Sequence, residues 1–265
     1  MPASLPCILT IAGSDSSCGA GAQADIKTIA ALGGYGLNAI TSVVSEIPGL
    51  VSKVHLLGAE MIADQIKVLF DGFPIAAAKT GMLGGLEQTR CVVAAWQRMA
   101  SPVPLVVDPV MVATGGGRLL AEEAIAAVKQ ELLPLAAVVT PNMDEAEVLW
   151  GHPVRTRADM EACARDLHRE CGAAVLVKGG HLSGDAAADV LWQESGASWF
   201  ESPRVEGVHT HGTGCSYSAA IATGLGKGLP LAEAVRQAKV FVHQSIAQYL
   251  SWGKVHALNH LQQKS

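Results

Sequence analysis

The sequence predicts an α/β fold with a mostly parallel central sheet covered by helices on both faces, and three observations predict it. Apolar runs that suit strands alternate with longer helix-like runs in a βαβα rhythm along the 265 residues. Some strand runs, such as Leu105-Val106-Val107, are apolar without interruption, as strands buried on both faces are. Further along, two strand-like runs joined by a short Ser-Gly turn read as an antiparallel hairpin at the sheet edge.

The elements follow in order. A strand from Ile8 to Ala12 precedes a helix from Ala22 to Leu32, a strand from Leu37 to Val44 and a helix from Ala59 to Phe70. The alternation continues with Ile75 to Lys79, a helix from Leu86 to Met99, the strand Leu105 to Val107, a helix from Ala121 to Leu132 and the strand Ala137 to Val139. Helices near Asp144 to Trp150 and Arg157 to Cys171 lead to the strand Ala174 to Lys178 and the hairpin of Asp189 to Gln193 with Ser198 to Glu201. Two helices, Thr213 to Leu225 and Leu231 to Leu250, close the chain.

Composition narrows the function. A hydrophobic fraction of 49% fills a sizeable core, and no linker, charge block or repeat marks a boundary, so residues 1–265 are expected to form one domain. A net charge of -5 with scattered Lys and Arg gives no basic stripe, which argues against nucleic acid and for a small-molecule partner. The cysteines at 7, 18, 91, 163, 171 and 215 show neither a C-x-x-C pair nor a zinc spacing and read as reduced thiols. No run approaches the roughly 18 to 20 apolar residues of a membrane helix, and no signal-peptide pattern opens the chain. A cytoplasmic protein is expected.

Ligands of an open parallel sheet sit at the carboxyl ends of its strands, and there this chain carries its unusual residues. Thr210-His211-Gly212-Thr213-Gly214-Cys215 opens straight into an Ala-rich helix, and the free backbone N–H groups of such a helix start suit a phosphate. Cys215 falls in the first turn, where the same field favours a thiolate that could act as a base. The alternative is a Gly-rich loop capping a core helix, with an inert buried cysteine.

Asn142 and Glu145 lie three apart after Pro141, on one face of a helix start. They suit a hydrated magnesium ion, with Asp108 as a second contributor, or they are a simple capping box with Asp108 as a turn-former. Lys178 ends an apolar strand and needs a negative partner, which a nucleotide phosphate would supply, unless it snorkels to solvent. Gly19-Ala20-Gly21-Ala22-Gln23-Ala24 fits a dinucleotide-binding G-x-G-x-x-A, with Glu46 as the ribose-binding acid, and so offers an NAD(P)-dependent oxidoreductase as the rival reading. The long loop before it fits that motif poorly and better suits recognition of a small hydrogen-bonding ring. Gly115-Gly116-Gly117-Arg118 is a candidate flap or an ordinary flexible connection, and His209 and His211 without other nearby ligands favour positioning or surface roles over metal binding.

Taken together, Thr10-Ile11-Ala12-Gly13-Ser14-Asp15, Lys79-Thr80-Gly81-Met82-Leu83, Asp108-Pro109-Val110-Met111, Thr140-Pro141-Asn142, Lys178-Gly179-Gly180-His181 and Thr210 to Cys215 resemble, in order, the ribokinase-like pyrimidine kinases of thiamine biosynthesis. The resemblance implies a three-layer αβα sandwich, usually a homodimer, that transfers the γ-phosphoryl group of Mg-ATP to 4-amino-5-hydroxymethyl-2-methylpyrimidine or its monophosphate. It implies an anion hole from Gly212, Thr213, Gly214 and Cys215, with Cys215 where related sugar kinases place an aspartate base. It also implies Lys178, with Thr210 and His211, on the ATP phosphates, and Asp108, Asn142 and Glu145 around Mg2+. Gly13, Asp25, Val44, Met82 and Val110 would line the pyrimidine pocket.

The chain departs from that pattern at Glu46, followed by Ile47-Pro48-Gly49, where the bifunctional enzymes commonly carry a ring-binding glutamine. A carboxylate only accepts hydrogen bonds and repels a phosphate, so an altered preference between alcohol and monophosphate, or a different related substrate, is expected. Pyridoxal kinase of the same superfamily is the nearest alternative, and a ligand sensor without turnover is a further one.

Overall fold

The computed structural model describes residues 5–99, 103–111, 120–180, 182, 186–205 and 211–261. β1 (Cys7–Asp15) leads into α1 (Gly21–Ala31), and β2 (Tyr35–Ile47) returns parallel to β1. β2 turns back at once into β3 (Leu50–Leu56), which pairs with it antiparallel. Next come α2 (Ala59–Gly72), β4 (Ile75–Thr80), α3 (Leu86–Gln97), β5 (Leu105–Val107) and α4 (Glu122–Ala127), which widens into a π-helical turn over Val128–Leu132 and ends in a short 3-10 turn at Leu135. β6 (Val138–Val139), α5 (Met143–Trp150), α6 (Arg157–Cys171) and β7 (Ala174–Gly179) precede the hairpin of β8 (Ala186–Gln193) and β9 (Gly196–Pro203). The chain ends with α7 (Thr213–Gly226), α8 (Leu231–Ala247) and a small hairpin of β10 (Leu250–Trp252) and β11 (Val255–Ala257).

The large sheet runs β3-β2-β1-β4-β5-β6-β7-β8-β9. Its pairs from β2 through β7 are parallel, and both edges are antiparallel hairpins. The period-two alternation of the strands sorts side chains to two cores. Leu9, Ile11, Leu105 and Val107 face one cluster with Ile62 and Ile66 of α2, Val92 and Trp96 of α3, and Met160 and Cys163 of α6. Ile8, Val106, Val138 and Leu176 face the other, with Ile29 of α1, Ala219 and Ile221 of α7, and Val235 and Phe241 of α8. This is the three-layer αβα sandwich expected. Among the described residues, no helix is long and apolar enough to cross a membrane.

Three differences from the sequence reading stand out. β1 continues through Gly13, Ser14 and Asp15, because Ser14 and Asp15 pair with β2 beyond a bulge at Gly13, so the loop before α1 is shorter than expected. β3 was not expected, and all seven of its residues are exposed, so neither face imposes a period-two pattern on the sequence. α8 stops at Ala247, and Leu250 belongs instead to β10. Gly115 to Arg118, His181, His209 and Thr210 lie outside the described residues.

Candidate active site

The parallel strands β1, β4, β5, β6 and β7 deliver their carboxyl ends to one rim, where Asp15, Thr80, Asp108, Thr140 and Lys178 follow one another across the sheet. α7 begins above that rim. Its N-cap Gly212 has φ +86°, and a Cβ there would stand 1.9 Å from the Gly19 carbonyl oxygen, so only glycine lets this turn seat against the loop before α1. Gly214 meets the opposite side, where an added Cβ would come within 3.2 Å of Lys178 Nζ and 3.7 Å of Asp108 Oδ2. The missing side chains bring the backbone of the predicted anion hole against the lysine predicted for the phosphates.

Two buried ion pairs lie beneath this turn. Lys178 Nζ donates to Asp108 Oδ1 at 2.9 Å, and Thr140 Oγ1 (3.1 Å) and Ser218 Oγ (3.2 Å) donate to the same carboxylate. Lys79 Nζ lies 2.9 and 2.7 Å from the two Asp25 oxygens, with Thr10 Oγ1 a further donor at 2.6 Å. Burial opposes the charge on each lysine, but Asp108 holds Lys178 protonated and Asp25 does the same for Lys79. Lys79 carried no role in the sequence reading. Its position at the end of an apolar run, like that of Lys178, was the signal available.

Asn142 and Glu145 form the capping box of α5: Glu145 N–H donates to Asn142 Oδ1 at 2.8 Å, and Asn142 N–H donates to Glu145 Oε2 at 2.8 Å. The capping alternative is therefore the geometry present, but it does not exhaust the pair's charge. Burial pushes the Glu145 carboxyl up to about 8, with Lys178 opposing and Asp108 adding to the rise. Asp108 neutralises Lys178, so Glu145 is a surplus buried acid among hard oxygen donors. That donor set fits a magnesium ion, whose charge would let Glu145 ionise.

Cys215 differs from expectation in charge. The residue is half-buried, and desolvation pushes its thiol up to about 11 although Lys79 and the Gly21 backbone N–H at the start of α1 pull it down. Two helix N-termini converge on the sulfur, yet desolvation outweighs them and the side chain is a thiol at neutral pH.

The predicted ring-binding residues fall on neighbouring strand ends. Gly13 N–H donates to Met82 O at 3.0 Å, and Val44 stands opposite Asp15 in the β1–β2 register. Val110 shares a narrow cleft with Gly81, Leu83 and Asp108, whereas Asp25 is engaged deeper, by Lys79 and Thr10. The Ser42 and Thr80 hydroxyls are buried without hydrogen-bond partners, and sequence reasoning had given neither a role.

Glu46 ends its strand beside His211, with Oε2 3.9 Å from Nε2, while His211 Nε2 lies 3.4 Å from Asp15 Oδ2. Asp15 raises the His211 pKa, and burial together with Asp15 raises that of Glu46. The trio has the spacing of a metal site, but Asp15 Oδ2 already accepts Gly19 N–H, Ala20 N–H and Ser17 Oγ. The same bonds dispose of the dinucleotide reading, since two backbone amides that a pyrophosphate would need before α1 are spent on a fixed carboxylate.

A model of the phosphomethylpyrimidine kinase family matches residues 15–260. The chain is 43% identical over 240 residues to a hydroxymethylpyrimidine/phosphomethylpyrimidine kinase of Rhizobium meliloti, covering 90% of each protein. It is 40% identical over 255 residues to a thiamine biosynthesis bifunctional protein of Geobacter sulfurreducens, where 96% of this chain spans only 52% of that longer protein. A Bacillus subtilis pyridoxal kinase solved as its ADP complex is 36% identical, with a TM-score of 0.90 over 97% of this chain and 98% of that one.

Proposed function

The chain belongs to the phosphomethylpyrimidine kinase family, a family of phosphotransferases, and from that premise we propose that it phosphorylates 4-amino-5-hydroxymethyl-2-methylpyrimidine, its monophosphate, or both, with Mg-ATP in thiamine biosynthesis. The observation that carries this reading is the convergence of the α7 start, Lys178 and Asp108 at one rim. Phosphoryl transfer needs positioning and charge neutralisation more than covalent chemistry from the protein, and this rim offers both.

In the proposed mechanism, the backbone N–H groups of Thr213, Gly214 and Cys215 and the Lys178 ammonium neutralise the transferring group. His211, whose pKa Asp15 raises, would add positive charge at the loop's entry in its protonated form. The minor thiolate form of Cys215 takes the proton of the substrate hydroxyl and becomes the thiol as that oxygen attacks the γ-phosphorus, and ADP leaves. Asp108, Asn142 and Glu145 would hold Mg2+, which supplies electrostatic neutralisation of the phosphate oxygens. Gly13, Val44, Met82 and Val110 would enclose the ring, and Asp25, fixed by Lys79, would orient it. Thr210 precedes this loop in sequence and is assigned to the nucleotide on resemblance alone.

Glu46 is the residue we assign to substrate choice. A partly buried carboxylate beside Asp15 repels a phosphomonoester, so the alcohol is the preferred substrate. Pyridoxal also carries a hydroxymethyl arm on a heteroaromatic ring, and the likeness to a pyridoxal kinase makes it the second reading. The deciding experiment compares kcat/KM for ADP release with hydroxymethylpyrimidine, its monophosphate and pyridoxal, in the native enzyme and in Glu46→Gln. The expected result is turnover of the pyrimidines, with the substitution shifting the ratio toward the monophosphate. An unchanged ratio removes Glu46 from specificity, and turnover of pyridoxal alone moves the enzyme to vitamin B6 salvage.

We read residues 1–265 as one cytoplasmic kinase domain that works as a homodimer. All six cysteines are free thiols, which suits a reducing compartment. β3 leaves Val51, Val54 and Leu56 40–48% exposed on an unpaired sheet edge, the kind of edge a second copy would cover.

A further inference from the structure

The C-terminal segment grips the proposed phosphoryl-transfer loop from both sides. Upstream of Gly212, His211 makes an isolated parallel bridge to Ala257 of β11. Downstream of Cys215, Ser216 Oγ and His260 Nε2 are 2.9 Å apart, in a pair whose residues are 0% and 4% exposed. Residues only three apart in the tail thus bracket the four-residue turn. The tail is itself anchored, since Asn259 N–H donates to Ser245 O of α8 at 3.1 Å, Leu258 is 3% exposed, and the His260 ring lies 6.5 Å from that of Phe241.

The partner of the Ser216 hydroxyl separates this contact from ordinary helix packing. A serine or threonine inside a helix commonly returns its hydroxyl to a carbonyl of the preceding turn. Thr223 of the same helix does so, to Ala219 O (2.8 Å). Ser216 instead reaches across to the tail. Its amide makes the first intrahelical bond of α7, to Gly212 O at 3.0 Å, so fixing Ser216 fixes the direction in which the amides of residues 213–215 point. Burial, with Lys27 adding, lowers His260 to about 4, against a backbone hydrogen bond at Leu258, so the ring is neutral at physiological pH and matches a neutral hydroxyl.

We propose that Val255–His260 is a positioning element for the anion-binding turn, with His260 the positioning residue that acts through Ser216. This inference rests on the phosphoryl-transfer reading for its catalytic consequence but not for its structural one. The test measures steady-state kinetics and amide hydrogen exchange of residues 212–216 in His260→Ala, Ser216→Ala, the double variant and His260→Gln. Each single alanine variant is expected to lower kcat by about tenfold to a hundredfold, as a misplaced catalytic backbone does. KM for the pyrimidine should stay within about twofold of native, because the ring pocket lies on other strands. The double variant should be no worse than the poorer single one, exchange at 212–216 should accelerate ahead of the rest of α7, and the glutamine should restore most of kcat. A folded His260→Ala with native kcat, or losses that multiply in the double variant, would overturn the proposal. If His260→Ala does not fold, Ser216→Ala decides, and native kcat and native exchange in that variant overturn it too. An enzyme without kinase activity would sink the proposed function alone, since the exchange measurement still shows whether the tail orders the turn.

Discussion

Replacing Cys215 by alanine and by serine tests the least settled element of the mechanism, because the structure makes the sulfur both well placed and poorly ionised. With the thiol raised to about 11, roughly one site in 3,000 is a thiolate at about pH 7.5. If that thiolate is the base, kcat/KM at saturating Mg2+ should climb about tenfold per pH unit from about pH 7 to pH 9.5. Cys215→Ala should then lose roughly 10² to 10⁴ in kcat and flatten the profile. Serine, a still weaker acid than the thiol, should restore the shape of the turn without the rate. The assay is coupled ADP release with hydroxymethylpyrimidine across that pH range. A Cys215→Ala enzyme that keeps more than about a tenth of kcat with an unchanged pH profile would refute the base. Catalysis would then rest on the N–H groups of residues 213–215, Lys178 and Mg2+.

Three further outcomes follow from the same rim. Glu145 ionises near about 8 when folded against an ordinary 4.5, so the folded state holds a proton that the unfolded chain releases, and stability falls as pH rises through that window, by at most about 5 kcal/mol. Mg2+ alone should therefore raise Tm more at about pH 8.5 than at about pH 6, and Glu145→Gln should remove that difference in a thermal-shift titration. Breaking the Lys79–Asp25 pair with Lys79→Met strands a buried carboxylate and should cost about 3–5 kcal/mol in urea unfolding, whereas Lys79→Met with Asp25→Leu should cost less than the single change. Gly212→Ala forces a Cβ against the Gly19 carbonyl at a positive φ, so kcat should fall at least about tenfold while pyrimidine binding measured by calorimetry is retained.

The sequence made the parallel core legible because its strands are buried on both faces and its helices on one, which imposes strong patterns on residues such as Leu105-Val106-Val107. It did not reveal β3, whose residues face solvent throughout and carry no period. The loop glycines and Lys178 stood out because each is costly or unusual where it sits. Lys79 sits at an equally costly position, yet nothing in the sequence names Asp25 as its partner, since that pair joins residues 54 apart. The Ser216–His260 contact, 44 residues apart between a helix start and the tail, is of the same kind. Short-range pattern exposes what a residue needs; which distant residue meets the need is a property of the fold.

Charge explains why these long-range partners accumulate at one place. Asp25 with Lys79 and Asp108 with Lys178 cancel in pairs, Cys215 remains a thiol and Glu145 retains its proton, so the cluster beneath the α7 start is close to neutral although it gathers six ionisable side chains. A magnesium nucleotide changes that balance by adding both signs at once. On the proposed reading the metal would favour an ionised Glu145, and the phosphates would give Lys178 a second negative partner beside Asp108. The binding of Mg2+ without nucleotide should therefore release close to one proton near about pH 7, detectable by calorimetry in buffers of different ionisation enthalpy. Glu145→Gln should release none. Equal release by both proteins would place the surplus proton elsewhere and remove Glu145 from the metal site.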